Sequence, residues 1–545
     1  MMIMKTRFLI YLAASFSLWV TACSGPVEDR GELSGTFAPI VPAYADSIVI
    51  PVNMAPLNFA FHPDSVCMEK AWVVVRAYDS LRNPRRSDVF GIRRTGGTKI
   101  PSRKWKRLLS EAVGGYLSVE ISFKSKEKHV RYEPLHWFVS PDQIDKYLLY
   151  RVSQYEEGRH GDVFMVQYDL ENCKTRLVGH NRLLDYDGRG QRSCMNCHDC
   201  LQNDSRNMVF HVRGNHKGTI VMRGDTLMKI ALPDNYDLRL TYPAWHPSGK
   251  IVAFSTNLPT SVHYASSTRK IIYTLDTLGS IVLLDVEKMR LFSCPQLTDT
   301  AFDQVFPAWS PDGRHLYFCR SPKKRYGVFP FPRHVDSSLS MRQNRTEQVW
   351  DDLMRISFDL SDRSFSDLRC VYPFSLMQKS ASMPKVSKDG RYLVLSLLKT
   401  STFPLQDLGD FYRLDLHADT LRPLELKMLN TPGSEKGHSF SSTGRWMVFS
   451  SSRRTLVIPE TYVTRFDAET GTFSKPFLVP RARGDFYLTN LQGFVFPVLS
   501  TVPVRHTAHE VMGTARSEEV LVDIDTSLSC FRLESGKKSM LRGGH

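Results

Sequence analysis

Between residues 242 and 450 the chain restarts one pattern of apolar and polar positions four times. It reads Tyr242-Pro-Ala-Trp-His-Pro-Ser-Gly249, then Phe306-Pro-Ala-Trp-Ser-Pro-Asp-Gly313, Met383-Pro-Lys-Val-Ser-Lys-Asp-Gly390 and Gly437-His-Ser-Phe-Ser-Ser-Thr-Gly444. A run that alternates at period two follows each glycine, as in Ile251–Ser255 and Trp446–Ser450. Such alternation predicts a half-buried strand, and the glycine supplies the positive φ of a tight hairpin turn before it. The Trp or Phe ahead of the turn is bulk for packing one sheet on the next. A second alternating strand ends each unit in Asp, where a turn begins: Ser280–Asp285, Leu353–Asp359, Asp410–Asp415 and Thr461–Asp467.

Repeated β units of this kind predict an all-β chain built around a β-propeller. Tyr147–Val152 and Val163–Asp169 place the start of a further unit near residue 145, so six blades, with seven as the alternative, are expected over 144–500. The repeat glycines lie 64, 77 and 54 residues apart, beyond the ~40–50 of compact propeller repeats. Insertions therefore decorate the loops, and the basic, Ser-rich Pro322–Gln348 is one. Upstream, 45–143 holds strand-like runs at Ala71–Tyr78, Tyr116–Phe123 and Trp137–Ser140 with one helix at Ser102–Val113, which predicts a small β-sandwich-like domain. Residues 501–545 leave the pattern and are expected to form a loose tail.

Composition narrows the class. Of 545 residues, 42% are hydrophobic and 11% aromatic, enough for a large core. Past the first two dozen residues no apolar run reaches the ~18–20 needed to cross a bilayer. The excess of Lys and Arg (71) over Asp and Glu (56) gives +15, which favours anionic lipid headgroups or an acidic partner. No Lys/Arg block with interleaved aromatics is present, which argues against nucleic acid.

The N-terminus reads as a leader over 1–22: Lys5 and Arg7, the apolar stretch Phe8–Val20, then Val20-Thr21-Ala22-Cys23. A basic start, a short apolar run and a small-residue exit are the export pattern, and a cysteine at the exit matches the bacterial lipobox. The Cys23 thiol would carry the lipid and 23–44 would tether the body. The expected location is the outer membrane, facing the periplasm or the cell surface, with a membrane contact through the lipid and an envelope protein as partner. Outside the cytoplasm thiols tend to oxidise. Of the other cysteines (Cys67, Cys173, Cys200, Cys294, Cys319, Cys370 and Cys530) most are isolated in sequence.

One cluster carries chemistry. Cys194-Met-Asn-Cys197-His198 is C-x-x-C-H, the pattern for covalent haem c, within an expected insertion near 190–216. Two thiols at this spacing can each form a thioether to a vinyl group, with His198 on the iron. A sixth ligand is sought at Met208-Val-Phe-His-Val-Arg213, where alternation puts His211 and Arg213 on one face and Met208 on the other. His211 would then ligate iron and Arg213 pair with a propionate; Met208 or His216 serve in another register. A disulfide among Cys194, Cys197 and Cys200, a thioredoxin-like pair, and zinc held by these cysteines and a histidine remain open.

The first two repeat copies resemble the TolB-like propeller repeat. The wider order, with Ala55–Phe59, Asp145–Arg151, Ser193–His198, Phe210–Gly214, Gly218-Thr219 and Tyr242–Pro247, is similar to Bacteroidetes envelope lipoproteins labelled TolB-like or "cytochrome c biosynthesis" proteins. That resemblance implies a propeller displayed in the envelope. Two functions follow: a haem-bearing module for electron transfer or redox sensing, or a non-catalytic scaffold that binds protein or glycan. No G-x-S-x-G nucleophile elbow and no paired carboxylates in catalytic spacing support an enzyme.

Overall fold

The structure is a computed structural model. It describes residues 32–61, 70–92, 97–124, 129–154, 162–184, 193–236, 238–264, 271–323, 349–399 and 409–533, with the main chain alone at 154 and over 257–264 and 271–278. The leader, Cys23, Cys67 and most of the 322–348 insertion lie outside the described residues.

Six antiparallel sheets form the blades of a propeller. Blade 1 is Gln492–Ser500, Tyr147–Gln154, Val163–Asp169 and Lys174–His180; blade 2 begins with Cys194–Leu201 and Asp204–Arg213. Blades 3 to 6 open with Thr241–Trp245, Phe302–Trp309, Ser380–Val386 and Glu435–Phe440. The first strand of each sheet touches the first strand of the next, so six innermost strands close around one axis. The last of them, Gln492–Ser500, returns from the far end of the chain to pair with Tyr147–Gln154.

The repeat residues act as their chemistry suggests. Gly249, Gly313, Gly390 and Gly444 sit at φ of 68–77° in the turns. Trp309 and Trp446 each donate an indole N–H out of their own blade, to the carbonyls of Ala244 and Asp142 at 3.1 and 3.3 Å. The strand-ending aspartates accept backbone N–H bonds two residues on, Asp285 from Glu287 at 3.0 Å and Asp467 from Glu469 at 2.9 Å. These are Asx-turns, which satisfy main-chain donors while reversing the chain.

Three segments differ from expectation. Residues from 32 are not a tether: Glu32–Leu33 pairs with His129–Arg131, Ile40–Val41 pairs with Ala60–Phe61, and Ile40 and Tyr44 are buried. Their domain is one seven-stranded mixed sheet with the helix Ser102–Glu111 and the short ribbon Ile40–Val41/Ala60–Phe61. A second facing sheet is absent among the described residues because the apolar cluster runs on into blades 1, 5 and 6. The C-x-x-C-H segment is no insertion but the innermost strand of blade 2.

The tail is not loose as far as residue 533. The helix Ala508–Arg516, started by a Thr507/Glu510 capping box, buries Val511, Met512 and Ala515 against blades 1 and 2. Val520–Leu521 and Asp523–Ile524 then add parallel strands to the outer edges of blades 2 and 3. Its apolar residues, spaced for one helix face, find a surface that the repeats alone leave bare. Met512→Ala is expected to cost about 2–5 kcal/mol in denaturant unfolding, as large-to-small core changes do. His509→Ala, on the exposed face of the same helix, should change stability by less than about 0.5 kcal/mol.

Candidate functional site

Each innermost strand carries the same irregularity. In blade 2, Asn196 pairs with His211 and Asp199 with Val209, so Cys197 and His198 together oppose one residue. The same two-against-one bulge occurs at Tyr242-Pro243, Phe306-Pro307, Met383-Pro384, Gly437-His438 and Phe496-Pro497. The first residue of each pair is left-handed, with φ of 56° at Cys197, 45° at Tyr242, 58° at Phe306, 50° at Met383, 57° at Gly437 and 56° at Phe496. Five of these are not glycine and cost roughly 1–3 kcal/mol each in backbone strain. Proline fits the second place, since a bulge is where a strand tolerates a missing N–H.

These six pairs line one cavity on the axis, whose empty space of about 740 Å³ includes open solvent at its mouth. Its wall is apolar at Tyr242, Phe306, Met383, Phe496 and four prolines, and polar at His198, Asp199, Lys385 and His438. Asp199 accepts the Trp245 N–H at 3.1 Å and faces Lys385 Nζ at 3.9 Å. Burial raises the Asp199 carboxyl, and Lys385 opposes that. Burial lowers His198 to about 4, aided by Arg151 and Lys385 and opposed by the carbonyls of Leu149 and Phe496. Burial and Lys385 lower His438 to about 3, while its Nε2 bonds to the Val394 carbonyl at 3.2 Å. Both imidazoles are therefore neutral near pH 7, and His198 Nε2 and His438 Nδ1 are buried with no hydrogen-bond partner in the structure.

The structure brings Cys197 and His198 to the cavity but not the rest of the expected haem site. Cys194 is off the wall, with Sγ 3.8 Å from Arg151 Nη2. Met208 packs in the core between blades 1 and 2. His211 is on the opposite face of its strand, against Thr219 Oγ1 at 3.3 Å, and neither it nor Arg213 lines the cavity. A doubly attached haem needs both thiols on one edge of the porphyrin and His198 over its iron. Here Cys197 and His198 sit in the bulge on the cavity wall while Cys194 lies off that wall beside Arg151, so the two thiols do not share one edge. As placed, these residues do not fit that group. Cys194, Cys197 and Cys200 form no disulfide, and among the described residues no three His, Cys, Asp or Glu side chains gather as zinc would require.

Lys385, His438 and Phe496 were not singled out from sequence. A signal for His438 exists: it occupies the proline position of the fourth repeat copy. Phe496-Pro497 repeats the aromatic-proline step of Tyr242-Pro243, but without the turn that follows the other copies.

No protein-family model matches the chain, and no curated protein matches it. Among solved structures it is similar to a prolyl endopeptidase from a study of two such enzymes, with 12% identity and a TM-score of 0.31 over 61% of this chain and 42% of that one. Prolyl oligopeptidase B from Galerina marginata shows 10% identity and 0.30 over 66% and 50%, and the GH74 xyloglucanase of Xanthomonas campestris 10% and 0.31 over 62% and 55%. The chain thus spans about half the length of these proteins. The likeness reaches no further than the fold.

The depressed His198 makes a pH prediction. Between pH 6.5 and about 4 the unfolded chain takes up a proton there that the folded chain does not. Acid therefore favours unfolding by about 1.4 kcal/mol per pH unit at this residue. In His198→Gln that contribution is gone, so the stability difference between variant and parent should change with this slope over that window, measured by urea unfolding at several pH values.

Proposed function

We propose that this chain is a non-catalytic binding scaffold of the cell envelope, whose axial cavity takes a ligand while the propeller rim meets a partner. The observation that carries this is the ring of bulges. Six blades hold a strained left-handed residue at one level, and all six pairs face one cavity. Strain kept at a single level across the fold is the usual mark of a site. The lining offers an aromatic and proline wall with a few polar groups, the composition of ligand pockets in general.

Covalent haem at Cys194 and Cys197 is the competing reading, and mass spectrometry separates the two. Protein produced with haem c maturation machinery is expected to have the mass of the unmodified chain at both cysteines. A thioether-linked haem there would replace the scaffold with an electron carrier.

Attachment through lipid on Cys23 belongs to the same proposal. Cells fed labelled palmitate should yield labelled protein, and Cys23→Ser should lose the label. Retention of label in that variant overturns the anchor.

A further inference from the structure

Resting on the scaffold reading, we infer that the axial cavity selects a small aromatic acid. Two features of the wall point to this ligand. The first is Lys385, which lines the cavity with about one-third of its side chain exposed. Its carboxylate neighbour Asp199 stands at 3.9 Å, too far for a hydrogen bond, and already accepts the Trp245 N–H. The ammonium thus retains donors for an incoming anion. Lys385 also acts on both cavity histidines, with its charge partly offset by Asp199 on the same wall.

The second feature is the aromatic belt. Tyr242 and Phe306 meet ring to ring at 4.7 Å, and Phe496 lines the same cavity beneath four prolines' worth of apolar surface. A flat ring buries its faces there at little entropic cost. The same chemistry occurs in a free acid and in the C-terminal tyrosine of a peptide.

The test uses the full chain and four probes: 4-hydroxyphenylacetate, phenylacetate, tyramine and the peptide Gly-Gly-Tyr. Binding is read by calorimetry, and its location by protection of Cys197 from N-ethylmaleimide, scored by peptide mass spectrometry. We expect 4-hydroxyphenylacetate and phenylacetate both to bind and protect Cys197, and tyramine not to bind. Lys385→Gln should weaken the acid about tenfold or more, the usual value of a hydrogen bond to a charged group, and Lys385→Arg should restore it. Gly-Gly-Tyr binding as well as the free acid identifies a peptide terminus as the source; its failure beside a bound free acid identifies a small molecule. Tyramine binding as tightly as the acid, or Lys385→Gln binding the acid unchanged, overturns the selection for an acid while leaving a cavity binder in place. If no probe, charged or neutral, protects Cys197 or gives heat, the ligand assignment and the cavity reading fall together.

Discussion

One antiparallel ladder holds the ring shut. Gln492–Ser500 lies against Tyr147–Gln154, and without it the first and sixth blades have no shared sheet. The contact joins residues 338 to 353 positions apart in sequence, so it is costly to form and cannot be local. Everything on the axis depends on it. The closing strand contributes Phe496 and Pro497 to the cavity, and His198 rests against the carbonyls of Leu149 and Phe496 from the two strands of this ladder. An open ring would leave the six bulges at no common level.

The N-terminal domain braces the same closure. Arg481, buried just ahead of the closing strand, lies over the rings of Phe494, Tyr168 and Phe486 at 4.4, 4.7 and 4.9 Å. Its guanidinium donates to the hydroxyls of Tyr150 at 3.0 Å and Tyr487 at 3.3 Å, and its carbonyl accepts from Asn58 of the N-terminal domain at 3.1 Å. A buried cation held by aromatic faces and phenols gains up to about 2 kcal/mol for a desolvated contact, enough to offset part of its lost hydration. Gly484 completes the junction, since a Cβ there would stand 2.0 Å from the Phe59 carbonyl.

The architecture was legible where local chemistry repeats. Period-two runs, turn glycines and the strand-ending aspartates are short-range signals, and they located the blades from 242 onward and the start near 145. Blade 2 hid because its turn is Gln202-Asn203, both at positive φ, in place of the Pro-Asp-Gly corner. Its cysteines read as chemistry before they could be read as the fifth copy of a structural repeat. Cys197 stands where Tyr242 and Phe306 stand, and His198 where Pro243 and Pro307 stand. The cavity itself, and Lys385 in particular, could not be seen in advance, because it is assembled from six segments that meet only after closure. The tail and the residues from 32 onward were misjudged for a related reason: short segments that add to someone else's sheet edge carry no period of their own.

The belt formed by 501–533 covers blade edges that would otherwise lie open. Outermost strands expose unpaired N–H and C=O groups and invite pairing with another chain. Here the helix Ala508–Arg516 lies along blade 1, while Val520–Leu521 and Asp523–Ile524 occupy the margins of blades 2 and 3. Blade 4 ends in Ser364–Tyr372, which carries Asp367 and Arg369, and blades 5 and 6 end in strands of two residues. These outer strands are thus covered, charged or too short to offer a long free edge to another chain.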